Sequence, residues 1–158
     1  MSKTANRAVA AILNEYERSI ADLIGVLKNI SANHLIKIRD TNTDDTDCVS
    51  IQSILAHICK SSYGYLNLIL VNQNKSKCIV PSNFTFINVD VYIKELRKVV
   101  EMNKKHLGNL PDTVLESTKK EDTINTSWGQ LYTIEQLLEH AIVHVLRHRF
   151  QIENFLKQ

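Results

Sequence analysis

The sequence predicts an all-α fold, namely a four-helix bundle whose helices are joined by long connections. The chain of 158 residues contains only four glycines and two prolines, so it has few of the residues that interrupt helices. Four long segments carry apolar residues at spacings of three and four, which is the period of an amphipathic helix. Because each apolar stripe must be buried on another helix, four such helices are expected to pack as one bundle.

The first two helices are predicted from their apolar spacing and from a cap. The first covers residues 4–30, in which the apolar positions are Val9, Ile12, Leu13, Tyr16, Ile20, Leu23 and Leu27. Residues 32–49 are polar and rich in turn-forming residues, so this segment is predicted to be a connection. The second helix follows Ser50, a favourable N-cap residue, and continues to Val71.

The last two helices have recognisable ends. The third covers residues 89–107, and Gly108 directly after it is typical of a helix C-terminus. The fourth begins at Thr133 with a capping-box pattern, in which Thr133 caps the helix and Gln136 reaches back to it. This fourth helix is predicted to run nearly to the end of the chain.

The two remaining connections are predicted to be irregular. Residues 72–88 leave room for a short extended piece, which Pro81 and Asn83 interrupt. The connection before the fourth helix contains Trp128, followed by glycine, and then Tyr132. We interpret this stretch as a turn or short hairpin that an aromatic side chain holds against the bundle.

Composition limits the class of protein. With 44% hydrophobic and 23% charged residues, residues 1–158 are expected to form a single globular domain. A net charge of +2 argues against a nucleic-acid partner, for which a concentrated basic face would be expected. The three cysteines lack a CxxC spacing, so neither a disulfide framework nor a thiolate zinc site is expected.

The sequence also favours a cytoplasmic protein with no membrane partner. Its N-terminus, "MSKTANRAVAAILNEYE", lacks the apolar core of a signal peptide. We find no apolar run close to the roughly 20 residues that are needed to span a bilayer.

The stretch "EHAIVHVLRHRFQ" places His140, His144 and His148 four residues apart on the fourth helix. At about 100° per residue, His148 faces the bundle core, His144 lies at its margin and His140 is the most peripheral. His57 of the second helix lies at the edge of that helix's apolar arc and can also face inward. Since facing helices of a bundle can build a metal site in its core, His57, His144 and His148 form one candidate set of ligands.

Other interpretations of these histidines remain open on spacing alone. In one alternative, His57 is a boundary residue bonded to a neighbour. In another, the stripe on the fourth helix is a polar margin that Arg147 and Arg149 continue. His34 and His106 have no partner pattern and receive no role. Cys59 faces away from His57 and is predicted to be a small core residue.

Two segments together, "SIQSILAHI" and "SWGQLYTIEQLLEHAIVHVLRHRFQI", resemble the DinB/YfiT-like family of metal-binding four-helix-bundle proteins. This family is unrelated to the DNA polymerase that shares the first name. The resemblance implies a divalent metal bound by His57, His144 and His148, which is the set that helical geometry selects. The chain departs from the common pattern of the family at Phe150, where many relatives have glycine.

A site of three imidazoles has an open position and suits zinc or, second, nickel. His140, Gln151 and Ser61 are candidates for groups that orient the ligands. The resemblance implies a thiol-dependent transferase that uses a low-molecular-weight thiol, or a related metal-dependent hydrolase. The alternative is a non-enzymatic, stress-induced protein that binds metal or a partner.

The fourth helix carries a second apolar patch, formed by Val143, Leu146 and Phe150, on the side away from its core arc. An exposed apolar patch usually marks a contact surface, and the resemblance implies a homodimer. The alternative is that the first helix or the loop before Trp128 covers the patch within one chain.

Overall fold

A computed structural model describes residues 7–158, which form four long helices and one short helix around a shared hydrophobic core. The helices are α1 (Arg7–Leu27), α2 (Ala32–Ile36), α3 (Ile51–Asn72), α4 (Val89–Leu107) and α5 (Ile134–Leu156). Each of α1 and α3 packs on both α4 and α5. The predicted all-α fold is therefore confirmed, and it places α3 directly beside α5.

Two reciprocal capping boxes start the helices that carry the candidate ligands. Thr133 accepts a hydrogen bond from the Gln136 backbone N–H, while the Gln136 side chain accepts one from the Thr133 N–H. Ser50 and Ser53 form the same exchange at the start of α3. Each box satisfies two backbone donors that would otherwise lack partners, so the first turns of α3 and α5 are well defined.

The apolar side chains of α5 determine which way its histidines face. Its buried residues are Ile134, Leu137, Leu138, Ala141, His144, Val145, His148, Ile152 and Phe155. Burial of each large aliphatic side chain contributes about 1.5–3 kcal/mol, so a rotation of the helix that exposed this arc would be strongly unfavourable. His144 and His148 are thus held at the edge of the core by the packing of their apolar neighbours.

The first connection contains more structure than the sequence pattern indicates. Helix α1 ends at Leu27 and not at residue 30, because Asn29 adopts a left-handed backbone conformation with φ of 68°. The predicted start at residue 4 lies outside the described residues. Residues 32–49, predicted to be a plain connection, include α2, which Ser31 caps, and a 3-10 turn at Thr46–Cys48.

The other connections follow the predictions more closely. Within the described chain, residues 72–88 form no strand, so the extended piece that the sequence allowed is absent there. Strands β1 (Ile124–Asn125) and β2 (Leu131–Tyr132) form the expected antiparallel hairpin, with Ile124 opposite Tyr132. Trp128 in its turn contacts the ring of Tyr65 on α3 at a centroid distance of 5.9 Å, so an aromatic does hold the hairpin on the bundle.

Helix α3 is more apolar than the sequence analysis indicated, which found no segment close to a membrane span. By length and composition it is apolar enough to cross a bilayer, with a mean hydropathy of 1.2 over its most apolar window. In the structure 61% of that window is buried inside the bundle, as is usual for a core helix. This single apolar helix is therefore weak support for a membrane span.

The apolar patch on α5 is open to solvent. Val143, Leu146 and Phe150 are 51%, 38% and 62% exposed. Neither α1 nor the loop before Trp128 covers them, so the alternative of coverage within residues 7–158 is wrong.

Candidate metal centre

Three histidines from two helices converge at one edge of the α3–α5 interface. His57 Nε2 lies 2.9 Å from His144 Nε2, and the ring centroids of His144 and His148 are 4.5 Å apart. One ring nitrogen from each of His57, His144 and His148 lies within 4.8 Å of the other two. The structure thus brings together the set of histidines that the sequence selected.

The separations suit a divalent ion. Nitrogens bound at 2.0–2.1 Å in a tetrahedral arrangement lie about 3.3 Å from one another. The two Nε2 atoms of His57 and His144 are 2.9 Å apart, slightly less than that value, and no two nitrogens of the group are more than 4.8 Å apart. Separations of this size are compatible with three nitrogens around one divalent ion.

Burial keeps two of the three imidazoles neutral. Burial, reinforced by the neighbouring His148 and His57, lowers the pKa of His144 from 6.5 to about 3. Burial also lowers the pKa of His148, although the hydrogen bond with Gln151 opposes this effect. Because only a neutral imidazole can bind a metal, His144 and His148 are ready ligands at neutral pH.

Asp47 orients the third imidazole. Its Oδ2 lies 3.1 Å from His57 Nδ1, which donates the hydrogen bond to this carboxylate. In the tautomer that carries its proton on Nδ1, the Nε2 lone pair of His57 is free to face His144. Metal-binding histidines usually have a carboxylate or carbonyl partner of this kind, which sets the tautomer and raises the basicity of the ligand.

The position of Asp47 depends on a loop that the sequence analysis treated as a connection. Asp45 caps the 3-10 turn and accepts a hydrogen bond from the Asp47 N–H at 3.0 Å. The turn packs against α3, so an acidic residue ten positions before His57 reaches its ring. The available signal was the acidic run "DTNTDDTD" just before the helix that carries His57.

The three proposed supporting residues occupy different places. Gln151 Oε1 lies 3.1 Å from His148 Nδ1, so Gln151 contacts one of the three histidines. His140 stacks on Trp128 at 5.1 Å and lies 3.4 Å from the Tyr132 hydroxyl, outside the group of three nitrogens. Ser61 is hydrogen-bonded to Tyr65. Within residues 7–158 it forms no hydrogen bond with any of the three imidazoles.

A small molecule can reach the three histidines. A cavity of about 440 Å³ opens over them and is also lined by Cys48, Arg147 and Gln151. Arg147 is exposed and forms no ion pair within the described chain. If the three histidines hold a metal, their position beside an open cavity would leave one coordination position accessible, as in catalytic metal sites.

The lowered pKa of His144 predicts how metal-free protein responds to acid. Between pH 6.5 and about 3 the folded chain binds fewer protons at His144 than the unfolded chain does. The contribution of neutral His144 to stability is thus complete above pH 6.5 and is lost as the pH falls. One such proton contributes a slope of about 1.4 kcal/mol per pH unit in the free energy of unfolding.

Urea unfolding of metal-free protein at several pH values measures this slope. The His144→Gln variant should have a shallower slope, and the decrease should be at most the contribution of one proton. His148 contributes in the same direction, so part of the slope should persist in the variant. Parallel curves for the two proteins would contradict a neutral, buried His144.

Comparison with known proteins supports the resemblance noted in the sequence. No curated protein matches the chain significantly. The DinB family, however, matches residues 1–158, which is the full length of the sequence. Together with the helical fold and the group formed by His57, His144 and His148, this match shows that the chain belongs to the DinB family.

Proposed function

We propose that the protein binds one divalent metal ion at His57, His144 and His148. The observation that carries this proposal is the 2.9 Å approach of His57 Nε2 to His144 Nε2 from two different helices. The far sides of two of the three rings are already engaged, His57 by Asp47 and His148 by Gln151. The remaining nitrogens can therefore face one shared point.

Zinc is the first candidate for the ion and nickel the second. Imidazole suits both metals, and availability in the cell decides between them. Three neutral imidazoles would leave the ion with its double positive charge and at least one open position. When bound, such an ion supplies Lewis acidity that lowers the pKa of a thiol or of water.

The favoured activity is transfer of a low-molecular-weight thiol, and metal-dependent hydrolysis is the related possibility. In a transfer reaction, the thiol loses its S–H proton to solvent. Its sulfur then forms a bond to an electrophilic carbon, from which the leaving group departs with the bonding electron pair. The 440 Å³ cavity can hold these reactants beside the histidines, and the Arg147 guanidinium can attract an anionic group.

The competing function is a non-enzymatic one, in which the metal stabilises the bundle or a partner contact. The site joins α3 to α5, so a bound ion would stabilise the folded state in proportion to its affinity. The two functions differ in whether thiol turnover accompanies metal binding.

The purified protein is expected to carry close to one divalent metal per chain after loading with zinc or nickel, as measured by elemental analysis. His57→Ala should lose it, because His57 is the ligand contributed by the second helix. His106→Ala is the matched control, since His106 lies on α4 away from the site and should leave the metal content unchanged.

Asp47→Asn should weaken metal binding less severely than the loss of a histidine ligand, and the same measurement tests it. Loss of a carboxylate behind a ligating histidine typically lowers metal affinity by about 10- to 100-fold. Absence of metal from the loaded wild-type protein would refute the metal-binding proposal.

For the transferase activity, zinc- and nickel-loaded proteins are incubated with a panel of small thiols and 1-chloro-2,4-dinitrobenzene. We expect release of chloride with formation of the thioether. His144→Ala should slow turnover at least about 100-fold. Lewis-acid activation lowers the activation free energy by several kcal/mol, and each 1.4 kcal/mol corresponds to about a tenfold change in rate.

His106→Ala again serves as the control for general effects of substitution. Full metal loading without turnover for any thiol, together with loss of folding on chelation, would favour the non-enzymatic function.

We also propose that two chains form a two-fold dimer through Val143, Leu146 and Phe150. These side chains form an exposed apolar patch on α5, and in a two-fold interface the same patch of each chain faces its symmetry mate. Phe150 is the largest and most exposed of the three, so it is the most informative position to change.

Phe150→Glu should convert the dimer to a folded monomer that retains its metal, as measured by light scattering and elemental analysis. The matched control is Ile79→Glu, which changes an equally apolar but 91% exposed residue outside α5 and should leave the mass of the dimer unchanged. A monomeric wild-type protein, or a Phe150→Glu variant that remains dimeric, would contradict this interface.

A further inference from the structure

A second cavity, which we call the α3 groove, begins at His57 and follows the exposed side of α3. Its volume is about 710 Å³, within the range of pockets that bind small molecules. Along α3 its lining extends from His57 to Val71, a distance of about 21 Å at 1.5 Å per residue. The groove is therefore long and narrow, and one end lies at the candidate metal centre.

Part of the groove's lining is apolar. Trp128, Val71 and Val80 line it and are 41%, 49% and 41% exposed. The Trp128 and Tyr65 rings meet edge to face at a centroid distance of 5.9 Å, which gives one wall a defined shape. Exposed apolar side chains gathered along a groove usually mark a surface that a ligand covers.

The opposite wall is held in place by one side chain of α3. Asn67 Oδ1 accepts a hydrogen bond from the Cys78 N–H at 2.7 Å, and Asn67 Nδ2 donates to the Cys78 carbonyl at 3.1 Å. These two hydrogen bonds to the backbone fix the segment that carries Lys77 and Val80. The groove is thus formed before any ligand binds.

The charges that line the groove favour an anion. Lys60 and Lys77 both line it, and neither forms an ion pair within residues 7–158. Asp47 is the one acidic lining residue, so the two lysines outnumber it and the lining carries a net positive charge. Lys60 follows His57 by less than one helical turn, so a positive charge lies close to the candidate metal centre.

Gly64 keeps the middle of the groove open. It lies on the exposed side of α3, and a Cβ atom added to it would meet nothing within 4 Å. Glycine within a helix costs about 0.5–1 kcal/mol relative to alanine. No close contact with a neighbouring element requires glycine here, whereas a larger side chain would project into the groove.

We propose that the α3 groove binds an elongated amphipathic organic anion. Its acid group lies at Lys60 beside the histidines, and its apolar body crosses Gly64 to reach Trp128 and Val71. This inference deepens the proposed function, on which it rests, by naming the class of molecule that the site would act on. Binding in the groove itself requires only the charge and shape just described.

The test uses 4-phenylbutyrate and 4-phenylbutylamine, which share a body but differ in the sign of the charge. Trp128 is the single tryptophan of the chain, so its fluorescence reports occupancy of the groove. We expect zinc-loaded protein to show a saturable change with the acid and at least about tenfold weaker binding of the amine. Equal affinities, or no change with either compound, would overturn the proposal.

Two glycine variants locate the binding. Gly64→Leu should abolish binding of 4-phenylbutyrate, because the new side chain fills the groove. Gly25→Leu is the matched control, since Gly25 is also a helical glycine with nothing within 4 Å of an added Cβ, and it lies on α1. Unchanged affinity in Gly64→Leu would place the ligand elsewhere and refute the groove.

Lys60→Gln should weaken binding of the acid by up to about fivefold, which is the size expected for an exposed ion pair of up to about 1 kcal/mol. Metal content is measured on the same samples. Full metal loading without binding of the acid refutes the groove alone, whereas binding without metal refutes the metal site alone.

Discussion

The packing of α3 against α5 is the constraint on which the candidate site depends. His144 and His148 lie on one helix, and their four-residue spacing places them on neighbouring turns of one face. His57 comes from another helix, and only the apolar contacts between the two helices bring its Nε2 to 2.9 Å from that of His144. The hydrophobic core therefore determines the geometry of a polar site that contributes little to the core itself.

The same packing has an electrostatic consequence. Three imidazoles at one edge of a core cannot all carry charge, because burial and mutual repulsion both oppose protonation. His144 shows the effect most strongly, with its pKa lowered to about 3. A divalent ion would take the place of the protons that the site excludes, and it would link α3 to α5 at the same time. Metal binding would in this way be coupled to the stability of the bundle.

The long helices and the three histidines could be predicted from sequence because both follow the helical period. Helix starts at Ser50 and Thr133 were marked by local caps, and the side chains that face the core repeat at regular intervals. Asp47 could not be predicted, since its contact with His57 depends on how an irregular loop folds back on α3. The end of α1 was missed for a related reason, because the left-handed conformation of Asn29 has no periodic signal.

The α3 groove was also beyond sequence reasoning, because its lining comes from four separate parts of the chain. Residues of α3 form the floor, Asp47 belongs to the 3-10 turn before α3, Val80 to the loop before α4 and Trp128 to the hairpin. No single segment shows that these residues meet.

On both α3 and α5, different sides of the helix have different roles. On α5 the apolar patch of Val143, Leu146 and Phe150 lies on the exposed side, away from the buried arc that includes His144 and His148. On α3 the buried side holds the bundle together, while the exposed side offers Gly64 and Lys60 to the groove. A contact between chains at Phe150 would therefore leave His57 and the groove open, so dimerisation and ligand access need not compete.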